Sequence, residues 1–458
     1  MLILQMLQTN HINHQNFWPV ARPFGLSNEQ LYDMNDMKWT TTLIGIPDAA
    51  LDPPHGVEVC PDCGLIQRLP PLQGRGKLAC PRCGHIMERT SGRSINAAMA
   101  MTLSALFLLI PANFLPLLSV DIFGVHHQSV LASGIWGVAA QGWPVVAVIL
   151  ALELLILPFL RFSTLAVVLL QLDAGHYPSW LGRMFRWSEW LDQWAMLDVF
   201  LIGFGIGYER VAPFLPIEVG TGGWCVVGLA FLSMLTRATL ERREIWRRIG
   251  PNVESLDLDQ EYIGCGHCGM PVAAHQEGQA CPRCAAKVWR YKPQSTMRTM
   301  AFALAGFFCY PFAYLYPMEY NYQIGKMEGY TIMTGVMKLI DAHFLLFAAI
   351  IFMASIVIPF LKLFSLSWFF ISVRTHSVKQ LRLKTAIYRL IKTIGRWSHV
   401  DVFTVTVFLP LMHLSGLLAV YVGDALPAFL AVVVLTMIAT EFFDPRALWA
   451  AYLMEPHE

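Results

Sequence analysis

Charge is what this chain has least of. Only 14% of its 458 residues are Asp, Glu, Lys or Arg, against about 25% in soluble domains, which counts against an ordinary water-soluble fold. The charges nearly cancel, leaving +1, so no basic excess points to nucleic acid. No Gly-x-x-x-x-Gly-Lys-Ser/Thr phosphate loop occurs, and with it goes any nucleotide site of that kind. A haem-ligand pair and a flavin motif are also missing. The first fifty residues have neither a basic opening nor a sustained apolar core. They do not read as a signal peptide, and residues 1–55 are expected to form a flexible tail.

What fills the chain instead is hydrocarbon. Hydrophobic residues make up 55% and the mean hydropathy is +0.48. Runs such as 99–118 and 343–373 are long enough to span a bilayer. The composition is that of an all-α polytopic membrane protein.

The chain is also written twice. "CPRC" at 80–83 returns at 281–284, and "LPFLRF" at 157–162 returns as "IPFLKL" at 358–363. "WAMLDVF" at 194–200 returns as "WSHVDVF" at 397–403. Landmarks in one order at near-constant offset mark a tandem duplication. Each copy begins with a Cys-rich module and continues with four apolar segments. These are roughly 96–117, 143–172, 190–208 and 218–236, then 298–317, 343–373, 398–416 and 421–440. About eight transmembrane helices are expected. The domain order is a ribbon at 56–92, a transmembrane unit at 93–249, a linker at 250–260, a ribbon at 261–292, a second unit at 293–441 and a tail at 442–458. Four spans per copy would insert both copies the same way up, about a pseudo-twofold axis along the membrane normal.

Basic residues set the orientation. Five arginines lie between Arg237 and Arg248 and seven basic residues between Arg374 and Arg396, whereas the loop at 118–142 has none. The positive-inside bias therefore puts both Cys modules in the cytoplasm. Segment 120–142, which has no basic residue and one acid, Asp121, then faces the periplasm, suited to lying on the membrane or docking a partner. Its His126–His127 pair is a weak metal signal.

Eight of the ten cysteines form Cys-x-x-Cys pairs: Cys60, Cys63, Cys80 and Cys83, then Cys265, Cys268, Cys281 and Cys284. Two such turns in each module, 16 or 12 residues apart, bring four thiolates onto facing knuckles. Structural Zn2+ at two sites suits this set best. Rubredoxin-like iron and a redox dithiol remain alternatives.

Asp198 and Asp401 stand in the apolar segments at matching places. A central acid costs about 2.5–3.5 kcal/mol on insertion scales and usually finds a partner inside the bundle. Arg161 and Lys362, each three residues after a proline, supply one basic residue per copy. Two symmetric pairs are expected, Arg161 with Asp198 and Lys362 with Asp401, serving either as helix register or as a switching element. Glu153 has no counterpart, since Ala354 aligns with it.

Duplicated ribbons, each followed by four helices carrying "P-F-L-[RK]" and "W-x-x-x-D-V-F", resemble the paraquat-inducible protein A family over residues 56 to 450. Two departures are Ala285, where the other knuckles have glycine, and Pro410 after Asp401. The resemblance implies a non-enzymatic component of the Gram-negative inner membrane. It would exchange phospholipid with a periplasmic, homo-oligomeric tunnel of mammalian-cell-entry (MCE) domains and support envelope integrity. It also implies that the eight cysteines bind metal and that Arg161, Asp198, Lys362 and Asp401 serve transport. Two other readings stay open: a membrane oxidoreductase or stress-response protein using its Cys pairs, and a passive anchor for the MCE partner.

Overall fold

The computed structural model describes residues 56–69, 76–90, 95–122, 125–212, 216–253, 256–257, 259–323, 326–409 and 418–454. The expected N-terminal tail and Pro410 lie outside them. The described chain is mainly helical, and the duplication is visible element by element. In the first copy the helices are α1 (Ile95–Phe114), α2 (Leu131–Ala140), α3 (Pro144–Asp173), α4 (Leu181–Trp194), α5 (Leu197–Val211), α6 (Thr221–Thr239) and α7 (Arg242–Ile249). The second copy repeats them as α8 (Ser295–Leu315), α9 (Ile332–Asp341), α10 (Leu345–Arg374), α11 (Leu381–Ile394), α12 (Val400–Phe408), α13 (Ala425–Phe442) and α14 (Arg446–Met454).

Five helices, α1, α3, α6, α10 and α13, are long and apolar enough to cross a membrane. That supports a multi-pass protein without establishing the expected eight spans. The third apolar segment of each copy departs most from expectation. In the first copy, residues 181–208 break into α4 and α5 at Ala195–Met196. α4 is an amphipathic helix with Leu181, Phe185 and Leu191 buried and Trp187 and Trp190 exposed. α5 has 15 residues, a length of about 22 Å at 1.5 Å per residue, shorter than a bilayer's hydrocarbon core. α5 and α12 pack together in the centre, with the rings of Phe200 and Phe403 5.7 Å apart.

The fold is not all helix. A hairpin of Leu118–Ile122 and Val125–Ser129 is joined by Ile217–Val219 into a three-stranded antiparallel sheet. Glu319–Gln323, Lys326–Tyr330 and Leu418–Val422 make the matching sheet of the second copy. Segment 120–142, expected to lie on the membrane or dock a partner, contributes to a strand pair followed by α2. Gln141 reaches across the copies, accepting from Val422 N at 2.6 Å and donating to Val420 O at 3.3 Å. These side-chain bonds occupy backbone groups that an edge strand would otherwise expose.

α3 and α10 each contain one π turn, Leu152–Ile156 and Phe352–Val357, before Pro158 and Pro359. A proline offers no N–H and its ring crowds the carbonyl four residues back. Widening the helix by one residue relieves that crowding while keeping the helix continuous.

The ribbons exchange places. Ribbon 1, with strand pairs Val57–Val59/Ile66–Arg68 and Gly76–Ala79/Ile86–Thr90, packs on the second copy. Met87 and Leu69 share a core with Leu366, Phe369, Tyr388 and Trp449. Ribbon 2 packs on the first copy, where Met270 and Val272 join Leu169, Phe185 and Trp246. Residues 446–454, read from sequence as part of a tail, form the helix that carries Trp449 into ribbon 1's core. The ribbons also touch each other, Val59 N donating to Gly269 O at 2.8 Å.

Candidate functional site

Two candidate metal centres are built from knuckles. In each Cys-x-x-Cys turn, the residue after the second cysteine donates its N–H to the carbonyl of the first: Gly64 to Cys60, Gly84 to Cys80, Gly269 to Cys265 and Ala285 to Cys281. That turn needs a left-handed backbone, and the four φ angles are +74°, +72°, +71° and +55°. Glycine adopts this freely; Ala285 holds it with a Cβ.

The knuckles bring Cys60 and Cys83 Sγ to 3.5 Å and Cys63 and Cys80 Sγ to 3.6 Å. The second ribbon gives 3.5 Å for Cys265 and Cys284 and 3.7 Å for Cys268 and Cys281. A tetrahedron with metal–sulfur bonds of about 2.3 Å has an edge of about 3.8 Å. All eight are free thiols, buried in two groups of four. The donor set fits a four-coordinate ion in each ribbon, which these cysteines would hold with no coordination position left open.

The charges buried among the helices form a network whose partners differ from those expected. Arg161 Nη2 lies 2.6 Å from Asp192 Oδ1, and its Nη1 donates to Ser233 Oγ at 2.8 Å. Asp198 Oδ2 is held by Arg237 at 2.8 Å and Arg396 at 3.3 Å. Arg237 also meets Asp192 at 2.9 Å. Arg161 and Asp198 thus belong to one cluster without pairing directly. The kink at Ala195–Met196 brings Asp192, at the end of α4, to the place expected of Asp198, while Arg237 from α6 covers Asp198.

The second expected pair is also replaced. Lys362 is 1% exposed, and its Nζ donates to Gly395 O at 2.8 Å and Thr436 Oγ1 at 3.4 Å. The open end of α11 supplies that carbonyl, where helix carbonyls and the dipole favour a cation. Gly395 is required for the approach, since a Cβ there would lie 2.5 Å from Lys362 Cε. Asp401, buried from α12, instead lines a small cavity with Glu319, Thr331 and Thr404. At about 30 Å³ it has room for a water molecule.

Sequence reasoning missed Asp192, Arg237, Arg396 and His399, the last being the residue that faces Glu153. Arg237 and Arg396 lay in runs read only as topology signals. The repeat offset did carry a usable signal: Asp192 aligns with Gly395 and Ser233 with Thr436, both at 203. The basic residue of each copy meets the same two aligned positions. Glu153, in the first π turn, lies 3.1 Å from His399 Nε2.

The family model for paraquat-inducible protein A matches residues 95–250 and 296–452. The chain is 28% identical over 396 residues to lipophilic envelope-spanning tunnel protein A of Escherichia coli (strain K12), covering 86% of this chain and 91% of that protein. It is 26% identical over 411 residues to intermembrane transport protein PqiA of the same strain, covering 87% and 97%. A probable intermembrane transport protein of Haemophilus influenzae is 25% identical over 419 residues, covering 87% and 97%. No solved structure matches.

Proposed function

Because this chain belongs to the paraquat-inducible protein A family, we propose that it is the inner-membrane component of an intermembrane phospholipid transport system. It exchanges lipid with a periplasmic tunnel of MCE domains and performs no covalent chemistry. The observation that carries this reading is the match, over most of the chain, to relatives named for intermembrane transport and an envelope-spanning tunnel. Buried charge supports it. A chain serving only as an anchor would gain from apolar residues at Arg161, Asp198, Lys362 and Asp401, yet all four are buried. These residues line a polar seam along which helices can shift while their charges stay compensated.

The two ions are Zn2+ and structural, as expected of closed four-thiolate sites. Burial of all eight cysteines within ribbon cores disfavours the oxidoreductase reading. With the ribbons cytoplasmic, the two three-stranded sheets face the periplasm, because they lie at the other ends of α1 and α8. There a cavity lined by Ser133, Trp136, Gln141, Leu409 and Tyr421 opens between α2 and the second sheet. Its mixed apolar and polar walls suit a phospholipid leaving the bilayer.

The test is a photoreactive amino acid at Ser133, with one at Phe107, a lipid-facing position on α1 (75% exposed), as the reference. Lipid adducts at 133 should depend on the presence of the MCE partner, while those at 107 should not. Adducts that respond alike at both positions would leave only a passive anchor.

A further inference from the structure

The duplication contains its own control for one buried pair. Glu153 Oε1 and His399 Nε2 are 3.1 Å apart, and the two residues are 2% and 0% exposed. Glu153 sits in the π turn of α3, in the first copy, and His399 in the turn entering α12, in the second. At the aligned positions the chain has Ala354 and Met196, also buried at 4% and 0%. The second copy forms its π turn around Ala354, and the first forms its Trp-x-x-x-Asp turn with Met196. Neither backbone feature needs a titratable side chain. Both Glu153 carboxylate oxygens and both His399 ring nitrogens moreover lack a hydrogen-bond partner among the described residues, the 3.1 Å approach of Oε1 and Nε2 being a contact without hydrogen-bond alignment. Burying such groups is costly, and π turns are frequent at functional sites.

From this we infer that Glu153 and His399 form a proton-binding site at the seam between the two copies. The pair takes one proton from water, holds it on the Glu153 carboxylate beside the imidazole, and returns it; only an O–H bond forms and breaks at the site. Other charged groups on the packed elements are already committed. Arg396 faces Asp198, Lys362 on α10 donates to Gly395 O, and Arg161 and Arg237 meet Asp192. On α12, Asp401 lines the cavity with Glu319, and Tyr314 on α8 donates to the Ser355 carbonyl in the second π turn. None of these bonds joins the Glu153–His399 contact. Uptake changes the charge at a contact shared by both copies, so it biases how they sit against each other. That would give lipid exchange a proton dependence, a use that rests on the transport reading above.

The test is an infrared pH titration of the full chain in lipid nanodiscs, which needs no transported lipid and no partner. A protonated-carboxyl component should appear on acidification in the difference between the native chain and Glu153→Gln, and its midpoint should move by about one pH unit or more in His399→Gln. A difference spectrum with no such component, or a midpoint that His399→Gln leaves in place, overturns the site. Should a variant fail to fold, the native chain still decides through isotope labelling. The band must shift with 13C-glutamate and not with 13C-aspartate, and a spectrum with no glutamate band at any pH refutes the proposal. Photocrosslinking at Ser133 can fail while this titration succeeds, so the two readings fall separately.

Discussion

In the first copy a buried basic residue, Arg161, meets a carboxylate, Asp192, and a hydroxyl, Ser233. In the second copy Lys362 meets a backbone carbonyl, Gly395, and a hydroxyl, Thr436. The positions correspond one to one, but the chemistry does not. Arginine's planar fork suits a carboxylate and needs several acceptors, while lysine is a point charge that one carbonyl and one hydroxyl can go far to satisfy. Once lysine occupies the helix, a side chain at 395 becomes an obstruction, and glycine follows. The comparison teaches that duplication preserves the place where a cation is buried, not the group that compensates it. At Asp198 the compensating groups are two arginines, one from each copy.

The comparison is broken most severely at the ribbons, because each stands on the other copy. Cys83→Ser should remove one of two metal ions and expose α11 and α14 to protease before α4, while α7, tied to ribbon 1 through Arg243–Glu58 and Arg247–Glu88, should loosen with either ribbon. Cys281→Ser should expose α4 and α7 first. Structural zinc contributes on the order of 10–16 kcal/mol in isolated zinc-finger peptides, so either variant should lose most of its folded yield. Metal analysis with limited proteolysis and mass spectrometry reads the result. If each variant frays its own copy first, the exchanged docking is wrong.

Next comes the charge network. Asp198→Asn leaves Arg237 and Arg396 short of an anion and should cost about 3–5 kcal/mol, the range for breaking one side of a buried pair. Lys362→Met strands a carbonyl and a hydroxyl, at about 1–3 kcal/mol. Thermal unfolding in the same detergent should therefore rank Asp198→Asn as the more damaging. Equal shifts would mean that the two copies compensate charge alike after all.

How far the sequence foretold this follows from what kind of information each part needs. Cysteine spacing is local, so the two ligand sets could be read directly, and the offsets near 201 to 203 exposed the duplication. Burial of Arg161, Asp198, Lys362 and Asp401 followed from their apolar surroundings. Their partners did not, because Asp192 and Arg237 sit in stretches whose composition is that of any solvated helix end. Gly395 contributes a carbonyl, which every residue has, and no pattern of side chains announces it. The strands Leu118–Ile122 and Val125–Ser129 were hidden by a run without basic residues that suits a membrane-lying segment equally well. The exchange of ribbons is a matter of which surface closes over which core, and a periodicity argument cannot reach it.

A milder change sharpens the comparison by converting one copy into the other. Gly395→Asp alone should destabilise, since its Cβ would fall 2.5 Å from Lys362 Cε and the lysine must move. Adding Lys362→Arg rebuilds the Arg161–Asp192 geometry and should recover part of the loss. A coupling of about 0.5–3 kcal/mol is expected for residues in contact, read as a double-mutant cycle of unfolding midpoints. Strict additivity would show that the aligned positions do not meet as they do in the first copy.

The smallest expected effect concerns the one knuckle without glycine. Ala285 holds φ at +55° where Gly64, Gly84 and Gly269 lie between +71° and +74°. A left-handed conformation costs an L-residue roughly 1–2 kcal/mol, and a replacing glycine gives part of that back through its freer unfolded chain. The remainder for Ala285→Gly is about 0.5–1 kcal/mol, equivalent to about a two- to fivefold slower release of metal from ribbon 2 to a chelator. Gly84→Ala should speed release from ribbon 1 by a similar factor, making the ribbons alike from the other direction. If neither substitution changes its release rate, the four sulfurs hold the ion without help from the turn. Ala285 would then be a neutral replacement, and the difference between the two metal sites would end at their surroundings.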